Sequence, residues 1–302
     1  MSDELAQLEK AVNDKDEKTM VTITLNHSTE ERVKLRDDYK QKNSKDLLEV
    51  FGKQFGSDFS TCLIGLYQTH AEYDAYLLYT AMKGLGSDKE LITEVLCFRS
   101  PDRINDIKTE FKKKYGKELL DEVKGETSGD YRKIALALLE GKRETNTSPD
   151  IEKCANIAKE LYDAGENKLG TNEEVFINYF TTLSPDDLLI VCKEYHKAYK
   201  KNMMDTLHNE FNGDTRDLLQ RILYGLYSPC EFYANQIRKA VEGLGTNDAK
   251  LIRSVIANYD GDMKRIKKYY TKMYNKDLTQ EVEDDISGNY KEIIKGLLNK
   301  SN

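Results

Sequence analysis

The stretch KELLDEVKGETSGDYRKIALALLEG, residues 117–141, has three counterparts of the same length that align with it without gaps. They start at Lys45, Lys201 and Lys276, so successive starts are separated by 72, 84 and 75 residues. Helix-pair repeats have periods of roughly 33 to 47 residues, and a longer period indicates more than two helices in each unit. The chain is therefore predicted to contain four copies of a unit of about five helices.

The second unit shows most clearly where its helices begin and end. EYDAYLLYTAM and KELITEVLCF have helical spacing of apolar residues, and the glycines between them break the first helix. Ser100 is a good N-cap before Pro101, which suits the first helical position, and Gly116 ends that third helix. KELLDEVK and DYRKIALALLEG then predict a fourth and a fifth helix. SPDD at 184–187 and STEE at 28–31 open the third helix of two other units.

Composition supports an all-α protein without a membrane span. Of 302 residues, 39% are hydrophobic and 33% charged, with only four prolines and no tryptophan. No apolar run of about 18 residues occurs, and the N-terminus is polar, so neither a transmembrane helix nor a secretory signal is predicted and a cytoplasmic location is expected. The net charge of −7 argues against nucleic acid as a partner.

The cysteines and histidines do not form a catalytic or metal motif. Five scattered cysteines lack zinc spacing and disulfide density, and we interpret them as small core residues. The four histidines show no H-E-x-x-H spacing, and no P-loop or nucleophile elbow is present. No enzymatic activity is predicted.

The repeats set the predicted domain boundaries at 1–70, 71–142, 149–226 and 228–302. KRETNTSPD at 142–150 is a polar connector long enough to separate two halves of the chain. Two lysine-rich runs, 108–117 and 264–276, suggest a basic patch with interleaved tyrosines, although a solvated helix face with buried stems and rings explains them more simply.

Glycine loops recur between the first and second helices of three units: MKGLGSDKE at 82–90, AGENKLGTN at 164–172 and VEGLGTNDA at 241–249. An acidic residue follows the last glycine of each loop after 40 positions. The pairs are Gly86 with Glu126, Gly170 with Glu210, and Gly245 with Asp285. If both helix pairs of a unit are antiparallel hairpins, the acid faces the glycine loop.

Glycine carbonyls combined with one carboxylate suit calcium. Ca²⁺ accepts roughly six to eight oxygen ligands at about 2.3–2.6 Å and mixes carbonyls, a bidentate carboxylate and water. Few protein oxygens are used, so positions stay open to an external ligand such as a lipid phosphate. No EF-hand string is present. A single GLG between helices is usually only a turn, whereas three copies with one fixed acid offset favour a metal site.

These loops, the distant acid, the SGDY-like ending and the fourfold plan resemble the annexin family over nearly all of the chain. The resemblance implies an all-α curved disc of four repeats with type II calcium sites on its convex face, where a phospholipid head group completes the metal shell. Carried over by motif, the metal ligands would be Met82, Gly84, Gly86 and Glu126; Gly165, Lys168, Gly170 and Glu210; and Val241, Gly243, Gly245 and Asp285. Asp285 is shorter than the usual glutamate, so its site is expected to differ in geometry or affinity.

Leucines occupy the tips of the three loops. Leu85, Leu169 and Leu244 either pack inward or insert into the membrane interface as lipid-binding residues. The first unit departs from the pattern, because its loop reads VNDKDEKTM and its acid position holds Gln54, or Lys53 after a one-residue slip. No calcium site is expected there. Similar degenerate loops occur in the annexin-like alpha-giardins of flagellate protists, so that branch is a possible assignment.

The predicted function is calcium-dependent peripheral binding to anionic, phosphatidylserine-like membranes, with Ca²⁺ as cofactor. The alternative is a cytoskeleton-associated helical scaffold with weak or vestigial calcium sites, which would make a cytoskeletal protein the partner. The expected location is the inner face of the plasma membrane or the cytoskeleton. A monomer is expected in solution, with self-association on membranes left open.

Overall fold

The computed structural model describes residues 2–84, 86–145 and 148–300. Within these ranges the regular elements are twenty helices, and no strand is present. The helix order repeats after every fifth helix, which gives four sets that we call repeats 1 to 4. This confirms the predicted all-α fold and the number of helices in each unit. None of the described helices has both the length and the apolar composition needed to cross a bilayer.

Repeats 1 and 4 supply the helices of one compact unit. Repeat 1 contains α1 (Ser2–Asp14), α2 (Glu17–Asn26), α3 (Thr29–Asn43), α4 (Leu47–Gln54) and α5 (Ser57–Leu66). Repeat 4 contains α16 (Pro229–Val241), α17 (Asp248–Ile256), α18 (Met263–Tyr274), α19 (Leu278–Asp285) and α20 (Gly288–Leu298). The unit comprises Met1–Tyr73 and Cys230–Asn302, so it joins the two ends of the chain.

Repeats 2 and 3 form the other unit, Asp74–Pro229. Repeat 2 contains α6 (His70–Met82), α7 (Lys89–Cys97), α8 (Pro101–Tyr115), α9 (Leu119–Glu126) and α10 (Gly129–Glu140). Repeat 3 contains α11 (Ile151–Ala164), α12 (Glu173–Thr182), α13 (Pro185–Tyr199), α14 (Met203–Glu210) and α15 (Gly213–Tyr227). The boundaries between the units fall within the first turn of α6 and at the start of α16.

Serine caps start the third helix of repeats 1 to 3, as the sequence predicts. The side chains of Ser28, Ser100 and Ser184 each accept a hydrogen bond from the backbone N–H three residues on, at 3.2, 3.3 and 3.1 Å. Ser28 also forms a complete capping box with Glu31. At the other end of α8, Gly116 adopts a φ of +67° and stops the helix.

The core of each unit forms where the fifth helix of one repeat packs on the second helix of the other. In the first unit α5 packs on α17 and α20 on α2, and in the second α10 packs on α12 and α15 on α7. Leu63 and Leu66 of α5 are buried, and burial of each such side chain contributes about 1.5–3 kcal/mol. A Cβ on Gly65 would lie 2.6 Å from Cδ1 of Ile256, so a larger residue here would force the Ile256 side chain to move.

The connector at 142–150 does not separate the two units, which corrects the prediction. It lies inside the second unit, between repeats 2 and 3. A guanidinium nitrogen of Arg143 donates to the Phe180 carbonyl at 2.6 Å, and the Glu144 N–H donates to the Thr182 carbonyl at 2.7 Å. These bonds attach the connector to the end of α12. Its polar composition therefore reflects its exposure to solvent and does not mark a boundary between the two units.

Four of the five cysteines are core residues, as predicted, and Cys97 is partly exposed. All five are free thiols, and Cys62, Cys154, Cys192 and Cys230 are buried. Burial raises the pKa of Cys154 and of Cys192 to about 11. These thiols are therefore protonated at neutral pH and fill space as small apolar side chains.

Candidate metal sites

The three glycine loops close in the same way. In each, the N-cap residue of the following helix donates its N–H to a carbonyl near the end of the preceding helix, at 2.7 Å. The pairs are Asp88 with Ala81, Asn172 with Ala164, and Asn247 with Ala240. The loop of repeat 3 contains one residue more between these points than the loops of repeats 2 and 4. This bond pins both ends of each loop while the residues between them project outward.

Positive φ angles turn the peptide groups inside these loops. Gly84 and Gly243 have φ of +117° and +110°, and Gly86, Gly170 and Gly245 have φ of +84°, +82° and +82°. L-residues rarely adopt these conformations, whereas glycine does so without steric cost. No atom lies within 4 Å of a Cβ built on any of the five. Backbone conformation, and not crowding, therefore explains why glycine stands at these positions.

Most of the carbonyls predicted as ligands have no hydrogen-bond donor among the described residues. This is true of Met82, Gly84, Gly86, Lys168, Gly170, Val241, Gly243 and Gly245. Gly165 is the exception, since its carbonyl accepts the N–H of Lys168 at 3.0 Å. A carbonyl oxygen has two lone pairs, so this bond leaves one of them available. Each loop thus presents main-chain oxygens that are free to accept water or a cation.

The three acids occupy one structural position, the last residue of an eight-residue helix. In repeat 3 the Thr171 hydroxyl donates to the Glu210 carboxylate and also lies 3.4 Å from the Glu210 carbonyl oxygen. A Cβ placed on Gly165 would lie 3.3 Å from Cδ of Glu210. The structure therefore brings Glu210 against its glycine loop.

Repeat 4 brings its acid against the glycine loop through both the carboxylate and the carbonyl, as repeat 3 does, whereas repeat 2 does so through the carbonyl alone. In repeat 4 the Thr246 hydroxyl donates to the Asp285 carboxylate and lies 3.3 Å from the Asp285 carbonyl oxygen. The shorter aspartate thus reaches the same hydroxyl partner as the glutamate of repeat 3. In repeat 2 the Ser87 hydroxyl donates to the Glu126 carbonyl at 3.0 Å, and no described residue hydrogen-bonds the Glu126 carboxylate.

The hydroxyl residue after the last glycine was not identified by sequence reasoning. Ser87, Thr171 and Thr246 each connect their loop to the helix end that carries the acid. A signal was present, because all three loops read LG followed by serine or threonine. What the sequence alone could not supply was the direction in which the hydroxyl donates.

Repeat 1 has a different connection at this position. Only Lys15 and Asp16 lie between α1 and α2, and the Asp16 N–H closes the turn on the Ala11 carbonyl at 2.8 Å. Lys15, directly before the N-cap residue Asp16, has a positive φ of +54°. Gln54 is the last residue of α4, so it, and not Lys53, is the counterpart of the acids. Repeat 1 therefore has neither the glycines, the hydroxyl nor the carboxylate.

Leucines at the loop tips face solvent. Leu169 and Leu244 have relative exposures of 105% and 108%, higher than any other described large hydrophobic side chain. These two do not pack inward, which excludes that alternative for repeats 3 and 4. Leu85 lies outside the described residues.

The donor set fits a hard cation. Among the described residues no group of three or more His, Cys, Asp or Glu side chains is placed to hold a metal ion. A metal site in these loops would therefore use main-chain oxygens with one carboxylate. Calcium accepts such mixed oxygen ligands in flexible geometry, whereas structural zinc sites are built from cysteine and histidine side chains.

Four five-helix repeats, three of which bring a glycine loop against an acidic helix end, define a distinct class of helical repeat proteins. The annexin family model matches residues 3–66, 73–138, 157–222 and 232–297, one match in each repeat. The chain belongs to the annexin family. Its members are peripheral, phospholipid-binding proteins whose cofactor is Ca²⁺, and they are generally not enzymes.

Individual relatives cover nearly the whole chain. The sequence is 32% identical to annexin A13 of Mus musculus over 94% of this chain and 89% of that protein. It is 32% identical to annexin A1 of Homo sapiens over 98% of this chain and 86% of that protein. The solved structure of annexin III superposes with a TM-score of 0.94 at 27% identity and covers 100% of this chain and 94% of that one.

Alpha-giardins share the fold. Calcium-bound alpha-14 giardin superposes with a TM-score of 0.79 at 20% identity, covering 97% of this chain and 98% of that one. At this identity the likeness concerns the fold alone. The assignment to the giardin branch stays a prediction.

Proposed function

We propose that this annexin binds anionic phospholipid membranes peripherally and in a calcium-dependent way. The observation that carries the proposal is the threefold juxtaposition of a glycine loop, with carbonyls free of donors, and a carboxyl-bearing helix end. One such arrangement would be an ordinary turn, but three in separate repeats, absent from the fourth, form a set.

Each proposed site draws on one loop and one acid. Repeat 2 would use the carbonyls of Met82, Gly84 and Gly86 with Glu126. Repeat 3 would use those of Gly165, Lys168 and Gly170 with Glu210, and repeat 4 those of Val241, Gly243 and Gly245 with Asp285. Ca²⁺ would neutralise the carboxylate and accept a lipid phosphate oxygen at the positions that the protein leaves open.

Charge explains why calcium is required. The protein has a net charge of −7, so it and an anionic bilayer repel each other. Three sites that engage together raise the overall affinity well above that of one, by effective concentration. Binding is therefore expected to be reversible on removal of calcium and to depend steeply on calcium concentration.

The exposed leucines would contribute an apolar contact. Leu169 and Leu244 extend fully from the loops that carry the proposed ligands, and Leu85 holds the same position in the sequence of repeat 2. Burial of such a side chain in the acyl boundary contributes about 1.5–3 kcal/mol. A phosphatidylserine-rich surface, as on the inner face of the plasma membrane, is the proposed target of the monomer.

Co-sedimentation with phosphatidylserine vesicles tests the proposal. At about 0.1 M ionic strength, the protein is expected to pellet with the vesicles in calcium, to return to the supernatant with a chelator, and not to bind pure phosphatidylcholine. Pelleting that is equal with and without calcium, or absent in both, would refute calcium bridging. Absence in both would instead favour the helical scaffold that binds a cytoskeletal protein.

A further inference from the structure

Helix α18 is unusually basic for this acidic protein. Its twelve residues, MKRIKKYYTKMY, include five basic side chains and no acidic one. The corresponding third helices are mixed: α8 contains five basic and three acidic residues, and α13 contains two lysines and three acidic residues. In α3 five basic residues alternate with four acidic ones. Among the third helices, α18 therefore has the largest net positive charge and is the one without an acidic side chain.

Three of these lysines form a row. Lys264, Lys268 and Lys272 are spaced by four residues, so they lie on one face, with Cα atoms about 6 Å apart along the axis. All three are exposed, and none has an ion-pair or hydrogen-bond partner among the described residues. We call them the α18 lysine row. The helix buries Met263, Ile266 and Tyr270 on its opposite side.

Neighbouring cations of α18 are already engaged. Arg265 pairs with Asp262 at 3.0 Å, and the Lys267 ammonium donates to the Asn299 side-chain oxygen at 3.2 Å. Like charges four residues apart repel each other along a helix. The row therefore concentrates positive charge on one strip of surface, where none of its three ammonium groups is paired with a carboxylate of the described residues.

Lysines in α8 and just after its end provide a contrast. Lys112 pairs with Glu118, Lys113 with Glu110 at 3.0 Å, and Lys117 with Glu122 at 2.9 Å. The lysine-rich run of repeat 2 is therefore a solvated, internally neutralised face, as the simpler sequence interpretation holds. The same interpretation does not account for the run in repeat 4.

The surface beside the row is partly apolar. Met273 is 37% exposed, and Tyr269, four residues before it, is partly exposed on the same strip. Lysines with long apolar stems next to a methionine and a tyrosine suit the boundary between lipid head groups and acyl chains.

We propose that the α18 lysine row is a second, calcium-independent contact site for anionic lipid surfaces. A single helix face is convex, so it meets a flat array of phosphates without a pocket. Each lysine near such a surface raises the binding constant about fivefold, so three give roughly 100-fold. A weak contact of this kind holds only at low ionic strength or together with a second attachment.

Lipid is favoured over two other polyanions. Single-stranded nucleic acid is held by successive aromatic stacking platforms, and the row has one partly exposed tyrosine beside it. An acidic peptide would gain only solvent-exposed ion pairs, which are weak because water and salt screen them.

The test is vesicle binding in excess chelator, where the proposed calcium sites cannot act. Wild-type protein is expected to bind pure phosphatidylserine vesicles at about 0.01 M ionic strength, where the Debye length is roughly 30 Å, and to dissociate at about 0.1 M. The variant K264Q/K268Q/K272Q is expected to lose roughly 100-fold in affinity. The variant K112Q/K113Q/K117Q, which has the same net charge, is expected to bind like wild type.

Three outcomes would overturn the inference. These are no binding of wild type to phosphatidylserine vesicles in chelator at low ionic strength, equal losses in the two variants, or binding of wild type to polyuridylate but not to vesicles. Because calcium is absent throughout, failure here leaves calcium-dependent binding untouched, and failure of calcium-dependent binding leaves this test valid. Circular dichroism of both variants establishes that they are folded.

Discussion

Repeats 1 and 4 share one compact unit and one helical plan but differ in the loop between their first two helices. In repeat 1 the closing hydrogen bond joins Asp16 to Ala11, and in repeat 4 it joins Asn247 to Ala240. The loop of repeat 4 is two residues longer, and the added length holds the glycines with positive φ. Repeat 1 therefore keeps the hydrogen bond that closes the loop and the N-cap of the second helix, although it lacks the glycine residues that turn carbonyls outward in repeat 4.

Repeats 1 and 4 also differ in the last residue of their fourth helix. α4 and α19 both have eight residues and end at Gln54 and Asp285. Tertiary packing thus preserves the helix while its last residue changes from amide to acid. The scaffold and the candidate site are separable: the fold needs the helix ends, and only the site needs the glycines, the hydroxyl and the carboxylate.

The largest effect is expected from removing all three carboxylates. In E126Q/E210Q/D285N each loop keeps its carbonyls but loses the carboxylate at the end of the fourth helix, which repeat 1 also lacks. Calcium-dependent binding to phosphatidylserine vesicles should weaken at least 100-fold, because loss of about 1 kcal/mol at each of three linked sites multiplies. The calcium concentration at half-maximal vesicle pelleting measures it.

A charge-matched variant controls for the change in net charge. Glu49, Asp121 and Asp205 occupy one equivalent position in the first turn of α4, α9 and α14, away from the loops. E49Q/D121N/D205N should bind vesicles with the calcium dependence of wild type. Equal behaviour of the two triple variants would remove the acids from the site.

Converting repeat 1 into a site is the converse experiment. Replacing Asn13–Lys15 by the Glu-Gly-Leu-Gly-Thr sequence of repeat 4, together with Gln54→Glu, supplies every part that repeat 1 lacks. The chain should then bind one more calcium ion in the presence of lipid, measured by equilibrium dialysis. The reason is that the closing bond and the helix end already exist in repeat 1.

Gln54→Glu alone is the control for this graft. A carboxylate without the carbonyls of the loop offers too few oxygens to replace the hydration shell of calcium. The number of bound ions should stay at the wild-type value. A gain from the single substitution would show that the loop is dispensable.

The sequence contained the fold and most of the candidate site because both depend on local pattern. Gly245 and Asp285 could be paired from a fixed offset, and Ser100 and Gly116 marked a helix from their own chemistry. The hydrogen bond of Thr246 could not be predicted, since it depends on how two distant helix ends meet. Nor could the pairing of repeat 1 with repeat 4, because which apolar helix faces pack together is set by the whole chain.

Replacing glycine by alanine should have opposite effects on the free energy of unfolding in the two repeats. Gly245 has a φ of +82°, so Gly245→Ala should lower the free energy of unfolding by about 1–2 kcal/mol. Gly52 lies inside α4 with the nearest atom 3.9 Å from a built Cβ, so Gly52→Ala should raise it by about 0.5–1 kcal/mol. Urea unfolding measures both.

The two variants control for each other, because both add one methyl group to the same compact unit. If both variants were destabilised, steric crowding by the added methyl group, and not the backbone φ angle, would determine the stability at these positions. If Gly245→Ala were neutral, the loop would be free to adopt another conformation, and its carbonyls would not be held ready for a cation.

The smallest effect is expected at the hydroxyl that distinguishes repeat 4 from the lysine of repeat 1. Thr246→Val removes a hydrogen bond to the partly exposed Asp285 carboxylate, which water replaces in part, so stability should fall by about 1 kcal/mol. Calcium affinity of that site should fall severalfold, because the carboxylate is no longer held against the loop. Isothermal titration in the presence of short-chain lipid resolves the change.

Ser87→Ala is the comparison variant for Thr246→Val. Among the described residues the Ser87 hydroxyl donates to the Glu126 carbonyl and not to its carboxylate, so its loss should change calcium affinity less than Thr246→Val does. If Thr246→Val instead tightens calcium binding, the hydroxyl competes with the metal for the carboxylate and does not position it. The direction of this one change therefore decides whether the third element that repeat 1 lacks supports the site or restrains it.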